Sequence, residues 1–134
     1  VKQGGFEMDL IGKTGTAELK VTDAVTAKTM RSGELDVLAT PALIALAEQS
    51  AWTSVAPYLE VGQGTVGTKM EFSHTSATPV GMTVRCKTEV VSVEGRRIVF
   101  SIQAFDDAGE IGTGRHERFI IDNHRFISKA NGKK

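Results

Sequence analysis

The chain has 134 residues, enough for one domain that buries roughly two-thirds of its unfolded surface. Its sixteen basic and sixteen acidic residues cancel, which argues against a nucleic-acid or membrane-surface partner, since both select a basic excess. No apolar run approaches the ~18 residues of a membrane-spanning helix, and Val1 to Gly5 lack the apolar core of a signal peptide. The single cysteine, Cys86, cannot close an internal disulfide, so a reducing, cytoplasmic setting is expected.

Residues 14–22 alternate loosely and predict a first strand, and 23–35 are polar and irregular, a loop or short helical turn. Thr40-Pro41 predicts a helix start, with threonine as N-cap and proline at the first helical position. The helix should run to Val55 or Ala56, where Pro57 stops it. Residues 60–64 read as a turn. Val66, Thr68, Met70, Phe72 and His74 share one parity, predicting a strand over 66–74 that turns this set toward the helix. After a turn at 77–81, Val84, Cys86, Thr88 and Val90 alternate against Arg85, Lys87 and Glu89. Val93-Glu94-Gly95-Arg96 predicts a hairpin turn, and strands at 98–105 and 111–121 flank another turn at 106–109. One central helix followed by four antiparallel strands is an α+β pattern. Such a sheet can curl around the helix, and its outer edge and remaining apolar surface suit a dimer. The domain is expected to span 1–127, with a polar, solvated tail at 128–134.

Glu48 stands out because its helix is apolar on nearly every side, the pattern of a buried helix. A desolvated carboxylate costs several kcal/mol unless it is paired or protonated. Ile44, Ala45, Ala51 and Trp52, its helical neighbours, offer nothing ionic. Two readings are open: an ion pair with Arg118 or Arg115, or a catalytic acid or base. His74 is either a core-edge histidine bonded to a backbone carbonyl or a general acid–base group. Thr40 is a cap, but a cap also sits where helix N–H groups can stabilise an oxyanion. Thr40 and Glu48 are eight residues apart, about 12 Å along a helix at 1.5 Å per residue. A site using both therefore needs a spanning substrate or groups from a partner subunit. Arg118 is either part of a solvated charge cluster with Arg115, His116 and Glu117 or an anchor for phosphate or carbonyl. Gly62-Gln63-Gly64-Thr65-Val66-Gly67 is glycine-rich but leads into a strand, the wrong context for a phosphate loop; Gly67 could instead admit a ligand close to the backbone. Cys86 reads as inert packing, and the scattered histidines give no metal-ligand spacing.

Ala39-Thr40-Pro41, Glu48, Ala56-Pro57-Tyr58-Leu59-Glu60, Gly67-Thr68, Ser73-His74-Thr75, Ala77-Thr78-Pro79, residues 92–97 and 110–114, and His116-Glu117-Arg118 carry a further signal through their order and spacing. Over residues 36–125 the chain resembles the fluoroacetyl-CoA thioesterase-like branch of the hotdog superfamily. The resemblance implies a hotdog fold, with an antiparallel sheet wrapped around a long central helix. It also implies hydrolysis of a small acyl-CoA thioester at the interface of a homodimer, with a tetramer also open. The family's catalytic residues fall on Thr40, Glu48 and His74, and its substrate-contacting residues on Gly67 and Arg118. No metal or bound cofactor is expected, CoA entering as part of the substrate. Fluoroacetate-specific members carry aromatic residues before the catalytic threonine, whereas Met30 to Asp36 here contain none, so fluoroacetyl selectivity is not expected. The rival readings are a non-catalytic acyl-CoA-binding module and a hotdog enoyl-CoA hydratase or dehydratase.

Overall fold

The alternating segments pair into one antiparallel sheet of five strands: β1 (Thr14–Lys20), β2 (Gln63–His74), β3 (Thr83–Glu94), β4 (Arg97–Asp106) and β5 (Gly109–Asp122). Their spatial order is β1-β3-β4-β5-β2. A short helix α1 (Ala27–Met30) precedes the long helix α2 (Thr40–Val55), and α3 (Asn123–Asn131) follows β5. The computed structural model describes residues 10–134; the reading of Val1 to Gly5 lies outside the described residues.

Helix α2 lies on one face of the sheet because Ala42, Leu43, Leu46, Ala47, Ser50, Ala51 and Val55 form a continuous buried stripe. Toward its start the stripe packs on Val84, Cys86, Ile102 and Ala104. Toward its end it packs with Leu10, Val90, Ile98, Phe100 and Ile120. Each Val, Leu, Ile or Phe side chain fully buried among these contributes ~1.5–3 kcal/mol. The one hydroxyl on the stripe, Ser50, is satisfied by Thr88 Oγ1 at 2.8 Å. Gly15 on β1 lets the helix approach closely, since a Cβ there would collide with the Ser50 carbonyl. The opposite side of α2 is open in this chain: Pro41, Ala45 and Gln49 are exposed, and Trp52 is 46% exposed. The expectation of a helix buried all round is corrected accordingly. An alanine-rich helix has no polar face to declare which side meets solvent, so composition alone cannot separate one-sided from two-sided burial.

The hairpin turns fall as expected, Glu94 pairing with Arg97 and Asp106 with Gly109. The turn at 60–64 is shorter than expected, because Gln63 and Gly64 already pair with Asp122 and Ile121. More consequentially, β2 carries a bulge: Gly67 pairs with Arg118 and Lys69 with Glu117, leaving Thr68 as an extra residue. The parity expected from Val66 through His74 therefore breaks. Thr65 and Gly67 face the helix before the bulge, and Met70 and Phe72 pack against the core after it. The domain-to-tail boundary drawn at residue 127 falls inside α3, whose Asp122 cap accepts from the Arg125 N–H and whose residues are all exposed.

Candidate active site

Two clusters meet α2, one at its first residue and one two turns later. At the start, Thr40 is already inside the first helical turn: Ala39 occupies the cap position and no side chain caps the helix. The Thr40 hydroxyl instead shares a 2.8 Å hydrogen bond with His74 Nδ1 at the end of β2. The capping role expected of Thr40 is thus corrected, because the hydroxyl is spent on an imidazole 34 residues away. Nε2 of His74 is buried with no hydrogen-bond partner among the described residues. Burial lowers the ring's pKa from the ordinary histidine value, with the Ser76 backbone partly opposing, so the ring is neutral near pH 7. A cavity of about 250 Å³ opens here, lined by Thr40, His74, Ser76, Ala27, Ser32 and Val37 among others.

The second cluster centres on Arg118, whose side chain is only 8% exposed. Its Nε donates to Thr65 Oγ1 at 2.9 Å and its Nη2 to the Thr65 carbonyl at 3.0 Å. Nη1 donates to Glu48 Oε2 at 3.2 Å and meets His116 Nε2 at 3.1 Å. Burial lowers the guanidinium's pKa while Glu48 opposes this, and arginine stays charged throughout. The carboxylate of Glu48, by contrast, is 42% exposed. Glu48 is therefore neither sealed in a core nor unpaired: it is held by one oxygen at the rim of a buried arginine. Gly67 leaves room for this pair, since a Cβ there would lie 2.8 Å from Glu48 Oε2 and 3.3 Å from Arg118 Nη1 and would push the carboxylate aside. Bulging Thr68 out of register is what brings Gly67 opposite Arg118 on this face.

An imidazole with a hydroxyl at one end of a helix, and a carboxylate on a buried arginine further along it, is a kit for acyl transfer. The fluoroacetyl-CoA-specific thioesterase family matches residues 21–124 of the chain. The chain belongs to that family. The fluoroacetyl-CoA thioesterase of Streptantibioticus cattleyicolor is 43% identical over 98 residues, 73% of this chain and 70% of that one. Among solved structures, the fluoroacetyl-CoA thioesterase FlK superposes with a TM-score of 0.88 at 35% identity, covering 92% of this chain and 96% of its own. A hot-dog-like protein from Thermanaerovibrio acidaminovorans superposes with a TM-score of 0.87 at 25% identity, over 99% and 97% of the two chains. The α+β arrangement is thus the hotdog fold.

Within this family member, the five residues singled out in the sequence fall into two groups. Thr40 and His74 touch each other; Glu48, Gly67 and Arg118 touch each other; among the described residues no hydrogen bond or ion pair joins the groups. Arg115, the other arginine considered for Glu48, is exposed on the opposite face of β5. The charge cluster containing Arg118 is not a solvated face: Arg118 and His116 are buried, whereas Arg115 is not. Thr65 and His116 were missed as site residues. Parity alone carried a signal, because 116 and 118 share a face with buried Ile120. Before the Thr40–His74 cavity, residues 27–37 fold back on themselves, the Ala27 N–H donating to the Val37 carbonyl at 2.8 Å. Ser32 and Val37 from this segment line the cavity, and among the described residues no Phe, Tyr or Trp does.

Proposed function

We propose that this family member is an acyl-CoA thioesterase acting on small acyl groups without selectivity for fluoroacetyl, at a site shared between two protomers. One protomer contributes Glu48, held by Arg118 beside Gly67, and its partner contributes Thr40 and His74. The observation that carries the reading is the Thr40–His74 bond of 2.8 Å at one end of α2, with Glu48 held apart on the same helix. Eight residues at 1.5 Å each separate the groups by about 12 Å, more than one thioester carbonyl can bridge. A two-fold dimer resolves the separation, because it can bring the start of one α2 against the Glu48 region of the other.

In this reading Glu48 either attacks the thioester carbonyl carbon or takes the proton from an attacking water. Turnover in ¹⁸O-labelled water separates the routes, since only the first labels the Glu48 carboxylate. His74, neutral near pH 7, takes the proton of the hydrolytic water. Glu48 hands it on in the general-base route, and the water that opens the acyl anhydride gives it directly in the covalent route. His74 delivers it to the CoA thiolate released when the C–S bond breaks. Thr40 orients the imidazole through Nδ1, and the adjacent helix N-terminus favours the developing oxyanion. These groups carry the chemistry without a metal or bound cofactor. The missing aromatics in residues 30–36 support the wider acyl range. A single thiol, Cys86, buried and raised to about 12, suits a reducing cytoplasm.

Complementation tests the shared site. Glu48→Gln and His74→Ala proteins should each be inactive in thiol release from short-chain acyl-CoA esters. Mixed and reassociated, half the dimers should be hybrids with one intact site, restoring about a quarter of wild-type activity. No recovery, with hybrids verified by mass, rejects the shared site; activity in Glu48→Gln alone rejects the thioesterase mechanism.

A further inference from the structure

His116 lies between two groups that settle its protonation. Its Nδ1 is 2.8 Å from the Lys69 carbonyl, which can only accept, so Nδ1 carries a proton. Its Nε2 is 3.1 Å from Arg118 Nη1, which can only donate, so Nε2 is bare. The ring is therefore neutral, in one tautomer, at 2% exposure, and stacked on Phe100. Nothing in hydrolysis requires this residue to touch substrate.

We propose that His116 is a positioning residue: its bare Nε2 accepts a hydrogen bond from one Nη1 N–H of Arg118 and thereby aims the other at Glu48. The inference rests on the reading of Glu48 as the catalytic carboxylate. Arg118 has five N–H groups, and four are directed: one to Thr65 Oγ1, one to the Thr65 carbonyl, one to Glu48 and one to His116. The two Thr65 bonds fix one side of the guanidinium plane. His116 fixes the far side, leaving Nη1 a single remaining proton and a single direction. The Lys69 carbonyl that holds His116 belongs to the first residue after the β2 bulge. The bulge thus sets both the glycine beneath Glu48 and the histidine behind its arginine.

The charged groups around His116 are Arg118, which disfavours the imidazolium, and Glu48 and Glu117, which favour it. Burial outweighs them and keeps the ring neutral. Protonation would set Nε2–H against the Arg118 N–H and release the guanidinium from its aim.

Two polar substitutions separate the two ring nitrogens. Glutamine at 116 places its carbonyl oxygen where Nε2 stands and can still accept from Arg118. Asparagine reaches only as far as Nδ1 and can bond Lys69 alone. His116→Asn should lower kcat about 100-fold with little change in KM, the scale of a small misplacement of a reacting group. His116→Gln should restore most of it. In the Glu48→Gln background, His116→Asn should change nothing further. Nitrogen-15 NMR of the unliganded protein at pH 7 should show Nδ1 protonated and Nε2 bare. Wild-type kcat in His116→Asn, an Nε2-protonated ring, or equal losses in both variants each overturn the role. A fully active Glu48→Gln instead overturns the catalytic reading itself, while the NMR result still reports the tautomer. If asparagine prevents folding, the glutamine variant and the spectrum decide.

Discussion

Arg118 and Glu48 form an unequal pair: Nη1 and Oε2 stand 3.2 Å apart, yet the arginine side chain is 8% exposed and the carboxylate 42%. The buried partner directs four of its five N–H groups to named acceptors, and the open partner has one oxygen without a hydrogen bond among the described residues. A structural ion pair has no need of this asymmetry. A reactive carboxylate does, because it must meet both substrate and water.

Replacing Glu48 by Gln should abolish thioester hydrolysis while changing unfolding free energy by ~1 kcal/mol at most, the range of a partly exposed ion pair. Denaturant unfolding alongside thiol release checks both halves. A stabilising role would give the reverse pattern, a clear stability loss with turnover retained.

Thr40→Ala distinguishes a cap from a partner of His74. Loss of a capping hydroxyl costs about 1 kcal/mol, but the Thr40 hydroxyl caps nothing. Stability should therefore move by less than ~0.5 kcal/mol, as for other exposed positions. Turnover should fall sharply and be rescued in Thr40→Ser, which keeps the oxygen on His74. Calorimetry with steady-state kinetics reads both.

Gly67→Ala introduces a methyl 2.8 Å from Glu48 Oε2 and 3.2 Å from His116 Cε1. The carboxylate is the tip of a flexible, half-open side chain and can swing away, so the melting temperature should change little. Its position relative to substrate cannot survive the move. A loss of kcat on the order of 100-fold is expected, and a crystal structure of the variant should show Glu48 displaced.

Burial lowers the pKa of both His74 and His116 below the ordinary 6.5. In unfolded chain they take protons near 6.5, and in the folded protein only at lower pH. Between those values the unfolded state binds more protons, so stability is fully present above about 6.5 and declines as pH falls. Urea unfolding from pH 8 to pH 5 should follow this, and the decline should shrink in His116→Gln. The acid limb of kcat/KM should lie below pH 6.5 as well, since the proposed mechanism uses both rings in their neutral form.

The long helix, the strands and the hairpin turns are legible in the chain alone, because strand alternation, the prolines at 41 and 57 and Gly95 act on neighbours within a few positions. The sequence also held the residue types of the site, legible through their resemblance to a family pattern. Side-chain destinations were beyond it. Thr68 reads as one more residue of an alternating strand, and only pairing with β5 turns it into a bulge that reverses the parity. Thr40 carries the local signature of a cap, and only the approach of β2 redirects its hydroxyl to His74. His116 and Arg118 look like a solvated charge run until curvature of the sheet places them beneath α2. Each of these outcomes depends on register and burial between segments tens of residues apart, and strand register flips whole faces with a single-residue shift. The chain supplied the groups; their pairing was decided by how the sheet closes on the helix.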